Sequence, residues 1–279
     1  MFSYLIPLML TLAACFGLQT LALRSAGGKT NKSESNFFSS LGRIQTGVRH
    51  SPEIMLLGSS ITGRLPDRAS GFDGVANLGC DGACAVEPLR AIDEGRLPGA
   101  PILVIEGNTL NRALGGRVNP IAQAIDAPWF MVGRRIPNLS ATARPAAFFY
   151  SRLLARKIGE SGTDVGQQII PTSVPAIPAG GLPTLNEAES QLVDELTALC
   201  KRMTNNGISI IITVLPPGGG ADSAEVRLST ALAIKARLLF WDLAAGIPAG
   251  TIRFTDHVHM DPRSATAVLK TLLRQIRNQ

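Results

Sequence analysis

Four short segments of the chain carry side chains suited to acyl transfer. Gly58-Ser59-Ser60 offers a serine hydroxyl just behind a glycine. Asp256-His257-Val258-His259 sets a carboxylate three residues before an imidazole, and it holds two of the three histidines. A serine hydroxyl becomes a nucleophile when a base takes its proton and donors hold the oxyanion. In an extended loop or a turn, Asp256 can hold the Nδ1–H of His259 while Nε2 faces Ser60. That is the division of roles in a Ser-His-Asp triad. Asn77-Leu78-Gly79-Cys80-Asp81-Gly82 supplies Gly79, whose backbone N–H can approach a substrate closely. Glu106-Gly107-Asn108-Thr109 supplies the side-chain amide of Asn108. With the N–H of Ser60, these are the candidate oxyanion donors.

Taken singly, each segment has a plainer reading. Gly58-Ser59-Ser60 alone reads as a helix N-cap after a turn, Gly79 and Gly82 as a tight loop, and Asn108 as a cap or Asx-turn residue. His257 and His259 alternate at a spacing that suits a metal only with a further ligand from Asp256 or Asp261. We expect no metal and no cofactor, because the chemistry needs only proton transfer and charge stabilisation.

The elements that must position these residues alternate between strand and helix. Short apolar runs at 53–57, 75–78, 101–106, 208–215 and 238–243 read as buried strands. Helical spacing appears at 85–94, 187–204, 223–236 and 263–277, with Asn205-Asn206-Gly207 stopping the second of these. A Pro/Gly-rich connector fills 169–184. Apolar strands separated by helices predict an α/β fold, a three-layer α/β/α sandwich around a mostly parallel sheet. In such sheets ligands bind outside the carboxyl ends of the strands. The first three chemical segments follow directly on predicted strands, and the Asp256–His259 loop precedes the last helix.

In this order, the four segments resemble the blocks of the SGNH (GDSL-type) hydrolase superfamily. The block I Gly-Asp-Ser is matched by Gly58-Ser59-Ser60, the block II glycine by Gly79, the block III asparagine by Asn108, and the block V Asp-x-x-His by Asp256 and His259. The resemblance covers 53–277, and it implies Ser60 as nucleophile with Asp256 and His259 completing the triad. Two blocks depart from the pattern. Ser59 stands where block I has Asp, and block III reads Glu-Gly-Asn-Thr. Gly-Ser-Ser behind an apolar N-terminus is similar to the SGNH-like proteins that work beside membrane-bound O-acyltransferases. Those proteins modify envelope polymers, by O-acetylating exopolysaccharides or D-alanylating teichoic acids. The resemblance therefore implies an acyl-ester or glycan substrate and a membrane-bound acyltransferase partner. A carboxylesterase, lipase or thioesterase of the same fold, or a non-catalytic assembly subunit, are the other readings.

Composition sets the outer bounds. The chain has 279 residues, 45% of them hydrophobic and 17% charged, enough for a large buried core. A net charge of +6 forms no dense basic stripe, and aromatics at 5% argue against a base-stacking platform, so no nucleic-acid partner is expected. Cysteines at 15, 80, 84 and 200 are too few and too irregular for a disulfide scaffold or a zinc ribbon. Cys80 and Cys84 fit either a short disulfide or two small packed residues.

Residues 1–23 contain no charged side chain and end at Arg24, which predicts a membrane anchor. A cleaved signal, a lipoprotein signal at Leu12-Ala13-Ala14-Cys15, or a buried core helix are the alternatives. Arg24, Lys29 and Lys32 follow this span, and the positive-inside rule would keep the domain cytoplasmic. The family resemblance instead places it in the periplasm or extracytoplasmic space. Residues 24–50 read as a juxtamembrane linker and 51–279 as the catalytic domain. Arg112, with Arg117, Arg134, Arg135, Arg144, Arg152 and Arg156 of an insertion at 113–186, reads either as a solvated face or as an acceptor surface for an acidic polymer.

Overall fold

The computed structural model describes residues 4–25, 33–115, 120–159, 181–220, 222–248 and 250–278. Five strands form one wholly parallel sheet: β1 (Ile54–Gly58), β2 (Val75–Gly79), β3 (Ile102–Glu106), β4 (Ser209–Val214) and β5 (Leu239–Asp242). Their spatial order is β2-β1-β3-β4-β5. The chain leaves β1 for one side and returns to its other side at β3. The carboxyl ends of β1 and β3 therefore flank the switch point where a crevice opens.

Side chains alternate between the two faces of each strand. Met55, Leu57, Leu103, Ile105, Ile210 and Ile212 join one apolar cluster, whereas Leu56, Val104, Ile211 and Trp241 join the other. The first face is covered by α2 (Asn36–Gly47), α3 (Val86–Asp93), α7 (Glu187–Asn205) and α8 (Ala224–Ala236). The short helices α4 (Pro120–Asp126) and α5 (Pro128–Arg135) pack outside α2 and α3. The second face is covered by α10 (Pro262–Arg277), through Val268, Leu269 and Leu272, and by the loops around it. The remaining helices are the apolar α1 (Leu5–Ser25), α6 (Pro145–Gly159) and the single turn α9 (Leu243–Gly246). The three-layer α/β/α sandwich is as expected, and the predicted strands and helices lie within a residue or two of the observed ones.

Residues 24–50 are not a linker throughout. Ser35 caps α2 by accepting from Phe38 N–H, and Leu41, Ile44 and Val48 bury one face of it against the sheet. Apolar residues at 37, 38, 41, 44 and 48 follow helical spacing. The Ser/Gly/Lys-rich composition of the wider stretch masked that period. The insertion at 113–186 contributes α4, α5 and α6, and residues 160–180 with most of the connector lie outside the described residues.

Candidate active site

Ser60 sits one residue past the Ser59 that follows β1, half-buried at the switch point. Its Oγ lies 2.8 Å from Nε2 of His259. Nδ1 of the same ring lies 2.7 Å and 2.9 Å from the two carboxylate oxygens of Asp256. A carboxylate only accepts, so Nδ1 carries the proton and the Nε2 lone pair accepts from the Ser60 hydroxyl. The three residues assigned from sequence therefore meet in one hydrogen-bonded chain, although 199 positions separate Ser60 from His259. The Asp256 Oδ1 also accepts from the backbone N–H of His259 at 2.8 Å, which explains the three-residue spacing. Burial alone raises the Asp256 carboxyl. The hydrogen bonds from the His259 ring and backbone outweigh it and hold that carboxyl below its usual value.

The loop carrying Asp256 and His259 is pinned at its base. Phe254 and Met260 form an isolated antiparallel bridge, and Thr255 N–H donates to His259 O at 2.8 Å. Its tip is open: the Asp256 side chain is 52% exposed and that of His259 20%. His257 takes a left-handed φ of 64°, which turns the chain between Asp256 and His259.

The Ser60 side is organised by a residue that sequence reasoning did not select. Glu106, at the end of β3, is 1% exposed and accepts five hydrogen bonds. Its Oε2 takes the backbone N–H of Ser59 and of Thr62, both at 2.9 Å, and the Thr62 hydroxyl at 2.6 Å. Its Oε1 takes the hydroxyls of Ser59 at 2.7 Å and Thr109 at 3.2 Å. Ser59 Oγ in turn accepts from Ile61 N–H. The turn that presents Ser60 is thus wrapped around one buried carboxylate. Ser59 and Glu106, two of the residues that differ from the block pattern the sequence resembles, are hydrogen-bonded to each other. The signal was present in the sequence as an acidic residue closing an otherwise apolar strand.

The candidate oxyanion donors fare differently. The N–H of Ser60 donates to no acceptor among the described residues, which leaves it for a ligand. Asn108 Nδ2 donates to Leu215 O at 2.7 Å, and its Oδ1 accepts from Leu215 N–H at 2.8 Å. The amide thus ties the β3 end to the β4 end and keeps one N–H spare. Gly79 does not have the expected role. Its N–H donates to Asn77 Oδ1 at 2.9 Å, and a Cβ there would press on the backbone of Gly63. Gly79 is a close-approach glycine in the sheet, paired with Gly58. The turn beyond it reaches Gly82, exposed with φ of 79°, whose N–H has no acceptor among the described residues. Cys80 N–H donates to Gly58 O at 2.8 Å, which brings this turn alongside Ser59.

The same turn is held from below by α2. Arg43 is 8% exposed, donates Nε–H to Gly79 O at 2.9 Å and forms an ion pair with Asp81. Ser40 Oγ accepts from Asp81 N–H. Asn77 donates both Nδ2 hydrogens, to Thr62 O and Leu65 O, each at 2.7 Å. Cys80 and Cys84 are free buried thiols. Burial pushes both up, Cys84 to about 12 with Glu87 adding to it. Among the arginines read as a solvated face or an acceptor surface, Arg112 reaches Ala83 O beside the turn, at 3.4 Å. Arg144 pairs with Glu34, and Arg117 lies outside the described residues.

Compared with protein-family models, with curated proteins and with solved structures, the chain shows no match.

Proposed function

We propose that this chain is a serine-dependent O-acyltransferase or acetylesterase acting on an extracytoplasmic polysaccharide. The observation that carries this reading is the unbroken Ser60–His259–Asp256 chain at the carboxyl ends of a parallel sheet. As Ser60 Oγ attacks the acyl carbonyl, its proton passes to His259 Nε2. Asp256 holds the ring and balances the imidazolium. The N–H of Ser60 and the spare N–H of Asn108 receive the oxyanion. His259 then gives its proton to the leaving oxygen, and the acyl group stays on Ser60. A sugar hydroxyl, or water, next gives its proton to His259 and attacks the acyl carbonyl; the bond to Ser60 Oγ breaks, His259 returns the proton to that oxygen, and the acyl group leaves on the acceptor.

The solvent-facing Asp256–His259 loop leaves the site open to a polymer rather than enclosing a small ester. The resemblance to proteins that serve membrane-bound O-acyltransferases supports an envelope substrate and such a partner. Helix α1, 21 residues long and uncharged before Arg24, is long enough at about 1.5 Å per residue to cross a bilayer, or to act as a signal sequence. In this reading it anchors the domain on the extracytoplasmic side.

The test is p-nitrophenyl acetate turnover by the full chain in detergent, with intact mass recorded and an oligosaccharide acceptor supplied in a second arm. Acetyl mass on wild type that disappears in Ser60→Ala, with turnover lost in His259→Ala, is the expected result. Transfer to the oligosaccharide marks a transferase, and acetate release alone an esterase. Equal turnover in wild type and Ser60→Ala overturns the reading. A phosphatase fusion after residue 50 that is active only in the cytoplasm overturns the envelope location.

A further inference from the structure

Helix α1 does not stand clear of the domain. Asn138 Nδ2 donates to Thr20 Oγ1 at 2.7 Å, and the Arg152 guanidinium reaches Ser25 O at 3.5 Å. These two contacts fix the level of the domain along the helix axis. Ser25 follows Arg24, where the uncharged run ends, so Arg152 lies at the height where an inserted helix leaves the hydrocarbon. Thr20 lies five residues deeper, about 7 Å along the axis. The short 3-10 turn Pro137–Leu139, which carries Asn138, is therefore held below the level of the headgroups.

The side chains at these heights match that placement. Ile136 and Leu139, flanking Asn138, are 44% and 48% exposed. On α6, Phe149, Arg152, Leu153 and Arg156 fall at i, i+3, i+4 and i+7, one stripe of the helix. Phe149 and Leu153 are 64% and 70% exposed, although α6 is part of the folded domain. Apolar side chains alternating with arginines on one exposed stripe suit the boundary between acyl chains and anionic headgroups. A cavity of about 510 Å³ opens beside them, lined by Leu23, Arg24, Thr46, Arg49, Pro137 and Asn138.

We infer that the 136–139 turn and the exposed stripe of α6 are embedded in the bilayer interface, so that the domain lies on the membrane beside its anchor. The occupant of this face is lipid, with the apolar side chains among acyl chains and the arginines on headgroup phosphates. The inference rests on α1 being a membrane span. It gives the insertion a role in holding the catalytic domain at a fixed height and tilt, within reach of an acyl donor in the membrane.

The test uses the full chain in vesicles of equimolar phosphatidylcholine and phosphatidylglycerol, with and without bromine on the acyl chains. In a Trp129→Phe background the remaining Trp241 is buried and serves as the interior reference. Leu139→Trp and Leu153→Trp are then made singly. Lys270→Trp, on α10 across the sheet, is the control. The expected result is loss of most of the added emission at 139 and 153 in brominated vesicles, with none lost at 270. A chain that floats with the vesicles and resists carbonate extraction, yet shows no quenching at 139 and 153, overturns the docking and leaves the anchor standing. A chain that does not float overturns the anchor, and this inference with it.

Discussion

The loop that presents Ser60 and the loop that presents His259 are built by opposite means. Ser59 and Thr62 hang on a carboxylate that is 1% exposed, in a turn further tied by Asn77. Asp256 and His259 hold each other at the surface, on a loop with one β-bridge at its base. In the first loop, position and stability come from the same contacts, because buried donors left unpaired are costly. In the second, the contacts that orient the imidazole are solvated and add little to the folded state. Substitutions at Glu106 are therefore expected to cost stability along with activity, and substitutions at Asp256 activity with little stability.

Removing the proposed nucleophile is expected to have the largest effect. Ser60→Ala is expected to lower acyl transfer by roughly 10⁴-fold or more, with its thermal midpoint close to wild type. Asp256→Asn follows, at about 10³- to 10⁴-fold in kcat, since the amide favours the wrong His259 tautomer. A loss in kcat/KM that comes from KM alone would break the assignment of Asp256.

The stability side has the reverse pattern. Asp256→Asn is expected to change unfolding free energy by no more than about 0.5 kcal/mol at neutral pH. The folded carboxyl is held below its unfolded value, so its small contribution is present above the unfolded value and fades as pH falls through the folded one. Chemical denaturation of wild type and Asp256→Asn at pH 7 and in acid reads this directly, and the two curves should converge in acid.

Glu106→Ala is expected to destabilise by about 3 kcal/mol, because it strips the acceptor from two backbone N–H groups at once. Activity should fall less than in Ser60→Ala in whatever fraction stays folded. Ser59→Asp sharpens the point, since it sets a second carboxylate against Glu106. Its cost should shrink in a Glu106→Gln background, which a double-mutant cycle measures. Additive effects would mean that Ser59 and Glu106 do not act as a pair.

The smallest expected effect is chemical. Buried thiols held protonated react slowly, so Cys80, Cys84 and Cys200 should resist iodoacetamide at pH 8 until the chain is unfolded. Rapid modification of Cys80 or Cys84 in the native protein would show that the turn beside Ser59 opens.

The local order of the chain was legible because burial in a parallel sheet leaves a plain signature. Ile208–Leu215 and Pro101–Glu106 are short, largely apolar runs that read as buried strands, and Ser60 falls just past an element of that kind. The Asp256–His259 pair was readable for a local reason: a single turn lets one carboxylate reach both the ring and the N–H of the same residue. Other features depended on partners far away in sequence. Gly79 reads as an oxyanion donor from sequence, but in the fold Asn77 takes its N–H. Residues 36–47 looked like linker because a helix this amphipathic is stable only once its apolar face meets the sheet. Glu106 was visible as an acidic residue ending a strand. Only the fold, by bringing the β1 and β3 ends together, decided that five donors would converge on it.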